Sequence, residues 1–536
     1  MTDAAGRTIP GLLAAAQPRA DAALQELADR LATDAGGVEV VGSVAGVDVR
    51  GVTADSREVA DGTLFVAISG SRSDGHDFVP AAVRAGATAV VVERRLPDLA
   101  VPQLVVGASR RALATAAAWW FGDPSREIGV IGITGTDGKT TTSLLAAAAL
   151  AEAGLPAGLV GTVATQIGGI RESNALHSTT PEAPWLQRAL RAMVSADDRA
   201  AIIETTSHGL AMDRVAAIDY DIALLTNLTH EHLELHGSFE AYRAAKLSLF
   251  ERLAVDAAHP AKAGAGWPRT GIVNADDPSA PAFVAATNAA GAHVLTYGAH
   301  PSADVRLLGI DESAGGLVVD HEVGGHRATV TLRLTGRFNA HNALAVVALG
   351  HAIRLDPAAV RVGLEGLTGV SGRMEVIDRG QPFGVIVDYA HSPASLALVL
   401  DELGPVAAGR GGTVIAVFGS AGERDRDKRP MMGRIAAERC RIVIATDEDP
   451  RGEDRAAILE DIAAGARDAG ARPEAFLRIA DRPEAIRAAF ARARPGDIVL
   501  LAGKGHETTI EYADHALPWN ERVEAERALE ELGFRS

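Results

Sequence analysis

The stretch GVIGITGTDGKTTTSLL, residues 129–145, decides how the rest of the chain is read. Ile128, Val130, Ile131 and Ile133 form an apolar, β-rich run that leads into a glycine-rich turn. Lys139 and three threonines close the turn, and a Leu/Ala-rich segment follows. A strand, a phosphate loop and a helix are predicted in that order. The common G-x-x-x-x-G-K-[ST] template has four residues between its glycines; five separate Gly132 from Gly138. The fit is therefore to a compact form, T-G-T-x-G-K-T-T, whose turn is Gly135, Thr136, Asp137 and Gly138. Its backbone N–H groups, at a helix N-terminus, cradle phosphate oxygens. Lys139 adds a point charge between phosphates, and Thr140 or Thr141 can hold Mg²⁺. The plain alternative, a glycine turn with a solvated lysine, does not account for the strand before it and the helix after it.

The chain has 536 residues, enough for three or four domains at roughly 100–200 residues each. Its net charge of −17 and lack of a basic run argue against sequence-general nucleic-acid binding. The single cysteine, Cys440, excludes an internal disulfide framework and a Cys-based zinc site, which fits a reducing cytoplasm. No signal peptide is expected. The longest apolar stretch, residues 144–159, is interrupted by Glu152, Gly154 and Pro156, so no membrane insertion is expected.

Residues 1–35 read as a loosely attached helix or a frayed end, with an amphipathic segment near 21–31. Residues 51–93 carry strand-like runs at 63–68 and 89–92 around a helix at 78–85. The Asp55–Arg57 triplet there, DSR, reads on its own as a capping Asp beside a surface Arg. Residues 125–368 alternate strand and helix patterns, as a parallel sheet requires. Two further buried strands run into polar residues. One ends at Glu204, followed by a hydroxyl-rich turn, His208 and Arg214. The other ends near Asn227, before His230, Glu231, His232 and His236. Ligands of open parallel sheets bind beyond the carboxyl ends of the strands. If these strands are neighbours, Lys139, Glu204 and the 230–236 segment share one edge. Glu204 can then complete Mg²⁺ coordination, with His232 as a further ligand. Lys246 lies on an amphipathic helix, where a lysine is ordinarily solvated. Asn339 is a candidate N-cap for the next helix, and Asn342 can reach an adenine.

From about residue 369, repeated strand–loop–helix units predict a doubly wound sheet. Their loops collect Arg373, Asp388, His391, Arg424, Lys428, Arg429, Arg451, Lys504 and His506, a local store of positive charge for anionic ligands.

The motifs TGTDGKTTT, HSTTPE, ETTSHGLAMDRV, TNLTHEHLELHG, AYRAAK, FNAHNALA, SGRMEV, VDYAHSP, GERDRDKRP, DEDPRGED and GKGHE occur in this order. Together they resemble the Mur ligase family from about residue 50 to the C-terminus. Within it they are most similar to members that add the third residue of the peptidoglycan stem peptide. The resemblance implies an α/β chain of three domains after an N-terminal extension (1–35). These are a UDP-substrate domain (36–122), a central P-loop ATPase built on a parallel sheet (123–368) and a C-terminal Rossmann-like doubly wound domain (369–536). It implies that ATP is bound by the phosphate loop together with Asn342, Arg373 and Asp388, with His391 near its phosphates. Ser56 would contact the uridine-linked substrate, and Thr179, Thr180, Thr206 and Arg214 its sugar-peptide. Glu204 and His232 would serve Mg²⁺, beside Thr140. Lys246 would be carbamylated. Arg424, Glu448, Asp449, Pro450, Arg451, Gly503 and Glu507 would bind the incoming amino acid.

The implied reaction is amide ligation through an acyl phosphate, by a cytoplasmic monomer acting on small molecules. Three positions depart from the family pattern: Asp137 for Asn, Met212 for Gln, and Asp449 for the Asn of D-N-P-R. Arg451 favours a distal carboxylate and so meso-diaminopimelate. Asp449 would repel that carboxylate or attract an ammonium, which keeps L-lysine and L-ornithine as alternatives. A folylpolyglutamate-type ligase and a non-catalytic nucleotide-binding scaffold for cell-wall assembly are the rival readings.

Overall fold

The structure, a computed structural model, describes residues 6–19, 22–34, 37–70, 73–174, 176, 178–229, 233–255, 262, 267–313 and 316–535. The first sheet contains β1 (Val38–Val41), β2 (Gly51–Thr53), β3 (Thr63–Val66), β4 (Ala87–Val92) and β5 (Gln103–Val106). Their order is β1-β5-β4-β3-β2, and only β1 runs antiparallel to its neighbour.

Helices α1 (Ile9–Ala15), α2 (Leu24–Asp34), α3 (Val79–Arg84) and α4 (Ser109–Trp120) accompany this part of the chain. Leu24, Leu27 and Leu31 of α2 are buried with Leu64, Val66 and Trp119. Leucines at this spacing form one helical stripe, and the stripe must be covered. This corrects the expectation that the first 35 residues are loosely attached. Helix α1 is anchored as well. Ile9 packs in the core that contains Leu186 and Met193, and its backbone N–H donates to Glu172 Oε1 at 3.1 Å.

The central sheet has eleven strands: β6 (Gly129–Thr134), β7 (Ala157–Val160), β8 (Ala164–Ile167), β9 (Ile170–Ser173), β10 (Ala200–Glu204), β11 (Ile222–Leu225), β12 (Thr270–Asn274), β13 (His293–Gly298), β14 (Val305–Ser313), β15 (Gly316–Val323) and β16 (His326–Leu332). Their order is β16-β15-β14-β13-β12-β11-β6-β10-β7-β8-β9. The phosphate-loop strand β6 lies between β10 and β11 and is parallel to both. Every residue of β6 is buried, as a strand covered on both faces requires. Glu204 is level with Ile133, and Leu225 with Thr134, so all three strands open at one edge. Helix α5 (Lys139–Glu152) follows the loop. Its Leu145 and Leu150 are buried with Leu344 and Leu349 of the helix Phe338–Ala352.

The C-terminal sheet joins β17 (Glu375–Val376), β18 (Gly384–Asp388), β19 (Val414–Phe418), β20 (Ile442–Ala445), β21 (Phe476–Arg478) and β22 (Ile498–Ala502). The order is β17-β18-β22-β19-β20-β21, parallel except at β17. A separate apolar core lies on each face, which makes the sheet doubly wound. Among the described residues no helix is long and apolar enough to cross a membrane.

Candidate active site

The phosphate loop is held by the strand beside it. Thr226 Oγ1 donates to the Asp137 carbonyl at 2.6 Å, and Asn227 Nδ2 to the same oxygen at 3.1 Å. The Asp137 N–H donates to Asn227 Oδ1 at 2.9 Å. The loop thus gains its shape from side chains of the next strand end. Two glycines are required here. Gly135 adopts φ +147°, and a Cβ on it would lie 1.8 Å from Thr226 Oγ1. Gly138 adopts φ +84° at the N-cap of α5, and a Cβ would lie 2.4 Å from Asn342 Oδ1.

Lys139 folds back on the loop. Its Nζ donates to the carbonyls of Gly135 and Thr136 at 2.9 and 2.8 Å. Lys246 reaches the same place from the helix Phe239–Glu251. It is buried, its Nζ donates to the Gly135 carbonyl at 2.7 Å, and it lies 4.6 Å from the centre of the Tyr242 ring. The expectation of a solvated lysine on an amphipathic helix does not hold for it.

Glu204, at the end of β10 beside the loop strand, is buried. Its Oε2 accepts from Thr140 Oγ1 at 2.9 Å and from Thr162 Oγ1 at 2.7 Å, and its Oε1 from the Thr162 N–H at 3.1 Å. Hydrogen bonds to an ionised group contribute about 1.5–3 kcal/mol each, so three of them offset the several kcal/mol that burying a carboxylate costs. A hydroxyl and a carboxylate at contact distance are hard oxygen donors of the kind Mg²⁺ selects, and Mg²⁺ needs only one or two protein carboxylates beside phosphate and water. The pair therefore fits that ion. His232, with His230 and Glu231, lies outside the described residues.

The hydroxyl-rich segments meet Glu204 from the other side. Thr179 Oγ1 is 3.0 Å from Thr162 Oγ1. Thr180 Oγ1 donates to the Glu204 carbonyl at 2.8 Å and lies 3.0 Å from Thr206 Oγ1. Arg214 donates to the Thr180 carbonyl at 2.9 Å and pairs with Glu182 at 2.8 Å. Asn342 packs on the loop: its Oδ1 accepts from Thr142 at 3.3 Å and its Nδ2 donates to Asn339 Oδ1 at 2.8 Å. Asn339 is not the N-cap. Arg337 holds that position, and Asn339 bonds back to the Thr335 carbonyl at 2.7 Å from inside the first turn. Ser56 sits in the turn after β2, half-buried. There Asp55 is spent on Arg57, which holds the Asp55 carboxyl down at about 2.

The C-terminal sheet supplies a second cluster. Asp388, at the end of β18, accepts from the N–H groups of Met374 and Ala390 at 2.7 and 2.8 Å. Burial raises its pKa, against the pull of Arg373. The Arg373 guanidinium lies 4.6 Å over the Tyr389 ring. His391 Nδ1 is 2.9 Å from the Tyr389 carbonyl, and Lys428 donates to the His391 carbonyl at 2.8 Å. At the end of β22, Lys504 is fully buried between two carboxylates. It donates to Asp449 Oδ1 at 2.8 Å and to Glu507. Burial penalises the Lys504 cation, but Glu507 and Asp449 outweigh it and hold its pKa above the ordinary value. Glu448 is buried against Gly503, and its Oε2 has no hydrogen-bond partner among the described residues. Pro450 is buried, Arg451 is half-buried with its Nε on Glu511 at 2.9 Å, and Arg424 is exposed.

The two clusters approach each other. The His506 imidazole lies near the backbone of Thr162, the residue that also holds Glu204. Burial, helped by the charges of Arg373, Lys504 and His391, pushes His506 down to about 3. Thr162, Tyr242 and Thr226 were not among the sequence candidates, because each acts through a partner far away in the chain. Arg482 was missed for the same reason. Fully buried and paired with Glu521 at 2.7 Å, it donates to the carbonyls of Asp447 and Ala502 at 3.0 and 2.8 Å. It thereby ties together the strand ends that carry Glu448–Arg451 and Gly503–Glu507.

Three family descriptions match this chain: the Mur ligase family catalytic domain over residues 48–117, the Mur ligase middle domain over 133–350, and the Mur ligase glutamate ligase domain over 372–505. The chain is 48% identical over 494 residues to a UDP-N-acetylmuramyl-tripeptide synthetase of Roseiflexus sp., covering 91% of this chain and 96% of that one. It is 39% identical over 485 residues to a UDP-N-acetylmuramoyl-L-alanyl-D-glutamate--2,6-diaminopimelate ligase of Bacillus licheniformis, covering 90% and 95%. A solved structure of a ligase of that second name superposes with a TM-score of 0.65 at 29% identity, over 96% of this chain and 99% of the other. With its phosphate loop, buried Glu204 and Lys246, and three matching domains in order, this chain belongs to the Mur ligase family.

Proposed function

We propose that this protein is the ATP-dependent ligase that adds a diamino acid, meso-2,6-diaminopimelate, to the D-glutamate of UDP-MurNAc-L-Ala-D-Glu in peptidoglycan synthesis. The observation that carries the reading is the meeting of Lys139, Lys246, Thr140 and Glu204 around one loop, with His506 of the amino-acid cluster near Thr162, which holds Glu204. The uridine-linked end of the substrate is assigned to the first sheet, near Ser56, and its sugar-peptide to Thr179, Thr180, Thr206 and Arg214. Mg²⁺, held by Thr140, Glu204 and His232, would neutralise charge on the transferring phosphate.

The D-glutamyl γ-carboxylate oxygen attacks the γ-phosphorus of ATP, and the bond to the bridging oxygen breaks to release ADP. The amine nitrogen then attacks the acyl carbon, phosphate leaves, and the nitrogen loses a proton. Phosphoryl transfer asks for positioning and charge neutralisation rather than covalent help. Lys139 supplies the latter when it leaves the two loop carbonyls for the γ-phosphate. Closure of the C-terminal cluster over the phosphate loop would keep water from the acyl phosphate.

The choice of diaminopimelate rests on Asp449 and Arg451. Lys504 neutralises Asp449, so the aspartate does not meet the substrate as a bare anion. Arg451, paired through its Nε with the partly exposed Glu511, is the cation offered to a distal carboxylate. The first sheet and the intact Lys139, Glu204 and Lys246 set speak against the folylpolyglutamate-type and scaffold readings. An ADP-release assay with UDP-MurNAc-L-Ala-D-Glu and diaminopimelate, lysine or ornithine tests all of this. Turnover is expected with diaminopimelate at a kcat/KM at least tenfold above the others, as about 1.4 kcal/mol of discrimination gives. No ADP with any amino acid would refute the ligase reading, and preference for lysine the specificity.

A further inference from the structure

A cavity of about 130 Å³ lies between the N-terminal and central parts of the chain, and the reaction above does not use it. Four arginines and two aspartates line it: Arg30, Arg111, Arg126 and Arg252 against Asp123 and Asp219. Three of these groups, Arg30, Asp123 and Asp219, are committed to close ion pairs. Arg30 closes on both oxygens of Asp123 at 2.8 and 2.6 Å, and Asp219 is 2.7 Å from Arg269. Arg111 and Arg252 are paired more loosely, both with Asp213. Each stands 3.8 Å from the same oxygen of Asp213, beyond hydrogen-bond distance. Arg252 Nη1 donates to the Ala216 carbonyl at 3.1 Å, while its buried Nε has no hydrogen-bond partner among the described residues. Burial is the main penalty on the Arg252 cation and lowers its pKa, with Asp213 offsetting part of it.

The cavity is at the wrong edge for ATP. Arg126 precedes β6 and Asp219 precedes β11, so they lie at the amino ends of strands whose carboxyl ends carry the phosphate loop. Arg111 comes from α4, whereas Arg252 caps the helix Phe239–Glu251 of the central part. An anion between them would bridge the two. A tetrahedral oxyanion has oxygens enough for two guanidinium forks, and Arg presents a fork that matches phosphate. The volume holds such an ion with several waters.

We propose that this cavity binds a phosphate-class oxyanion, free or as a monoester, between Arg111 and Arg252, and that the bound anion braces the N-terminal domain against the central one. The test uses the full-length protein saturated with ADP and Mg²⁺, so that the phosphate loop is filled. Inorganic phosphate and glycerol phosphate are titrated at constant ionic strength, with binding followed by calorimetry and Tm by fluorescence. Saturable binding and a rise in Tm are expected. Tighter binding of the ester would identify a phosphorylated ligand, and tighter binding of inorganic phosphate a free one. Arg252→Gln and Arg111→Gln should each weaken binding at least about tenfold, the loss of a charge-assisted contact. Arg111 is half exposed, so its variant folds even if Arg252→Gln does not. Absence of saturable binding, or binding that Arg111→Gln leaves unchanged, would overturn the proposal.

Discussion

Lys139 and Lys246, 107 positions apart in sequence, donate to one oxygen, the Gly135 carbonyl, at 2.9 and 2.7 Å. Two ammonium groups on one acceptor repel each other; unit charges about 4 Å apart near a protein surface interact by about 4 kcal/mol. Carbamylation of Lys246 would replace one of these cations with an anion and turn the repulsion into attraction. A carbamate would therefore be more favourable at this position than the ammonium.

Lys246→Ala is expected to lower kcat at least about 10²-fold, the scale for losing one preorganised charge at a phosphoryl-transfer site. Lys246→Arg should be no better, because a guanidinium keeps the repulsion and forms no carbamate. Turnover of ADP release near the wild-type rate in either variant would remove the carbamate from the mechanism.

Glu204→Gln keeps the size of the side chain and replaces one acceptor oxygen with a donor. Either the Thr140 and Thr162 hydroxyls on Oε2 reorient or the Thr162 N–H on Oε1 loses its acceptor, and the charge facing a divalent cation disappears. The expected result is a rise of at least about tenfold in the Mg²⁺ concentration needed for half-maximal rate, together with a lower kcat. A Mg²⁺ dependence equal to that of the wild type would show that Glu204 is not a ligand.

Arg482 and Glu521 are both fully buried, and removing one partner leaves a charge without compensation. Glu521→Ala should cost about 3–5 kcal/mol in urea unfolding. Trp519 Nε1 also donates to Glu521, at 2.7 Å, so its fluorescence should report the change. A loss below about 1 kcal/mol would mean that the pair does not hold the two strand ends.

Folding lowers the proton affinity of His506 to a pKa of about 3. Between that value and the ordinary value of about 6.5, the unfolded chain binds more protons, so stability rises with pH. The contribution is complete above about 6.5 and is lost as the pH falls toward 3. The stability difference between wild type and His506→Asn should therefore shrink on acidification, by up to about 1.4 kcal/mol per pH unit between pH 6 and 4. A difference that does not change with pH would show that His506 titrates normally in the fold.

Much of this molecule is legible along the chain, because local pattern carries the information. β6 is a continuous apolar run, Gly138 and Lys139 open a helix, and the strand–loop–helix units after residue 369 repeat as expected. Each depends on neighbours within a few residues, through backbone conformation and side-chain period. The first 35 residues show the limit of that reading. The leucine spacing in α2 announces a buried stripe, but only the folded sheet reveals what covers it.

The site itself is a tertiary product. In sequence Lys246 is one more lysine on a helix, and burial beside Gly135 makes it a group of the phosphate loop. Asp449 reads as a charge aimed at the substrate until Lys504, 55 residues later, pairs with it. Thr162 shows no motif, yet it holds Glu204 through both its hydroxyl and its backbone N–H. Residue types and their order along the chain therefore determine the strands, the turns and the kind of chemistry. Which charges stay available is decided by desolvation and by partners contributed from other strands, since both act through space and leave no local trace.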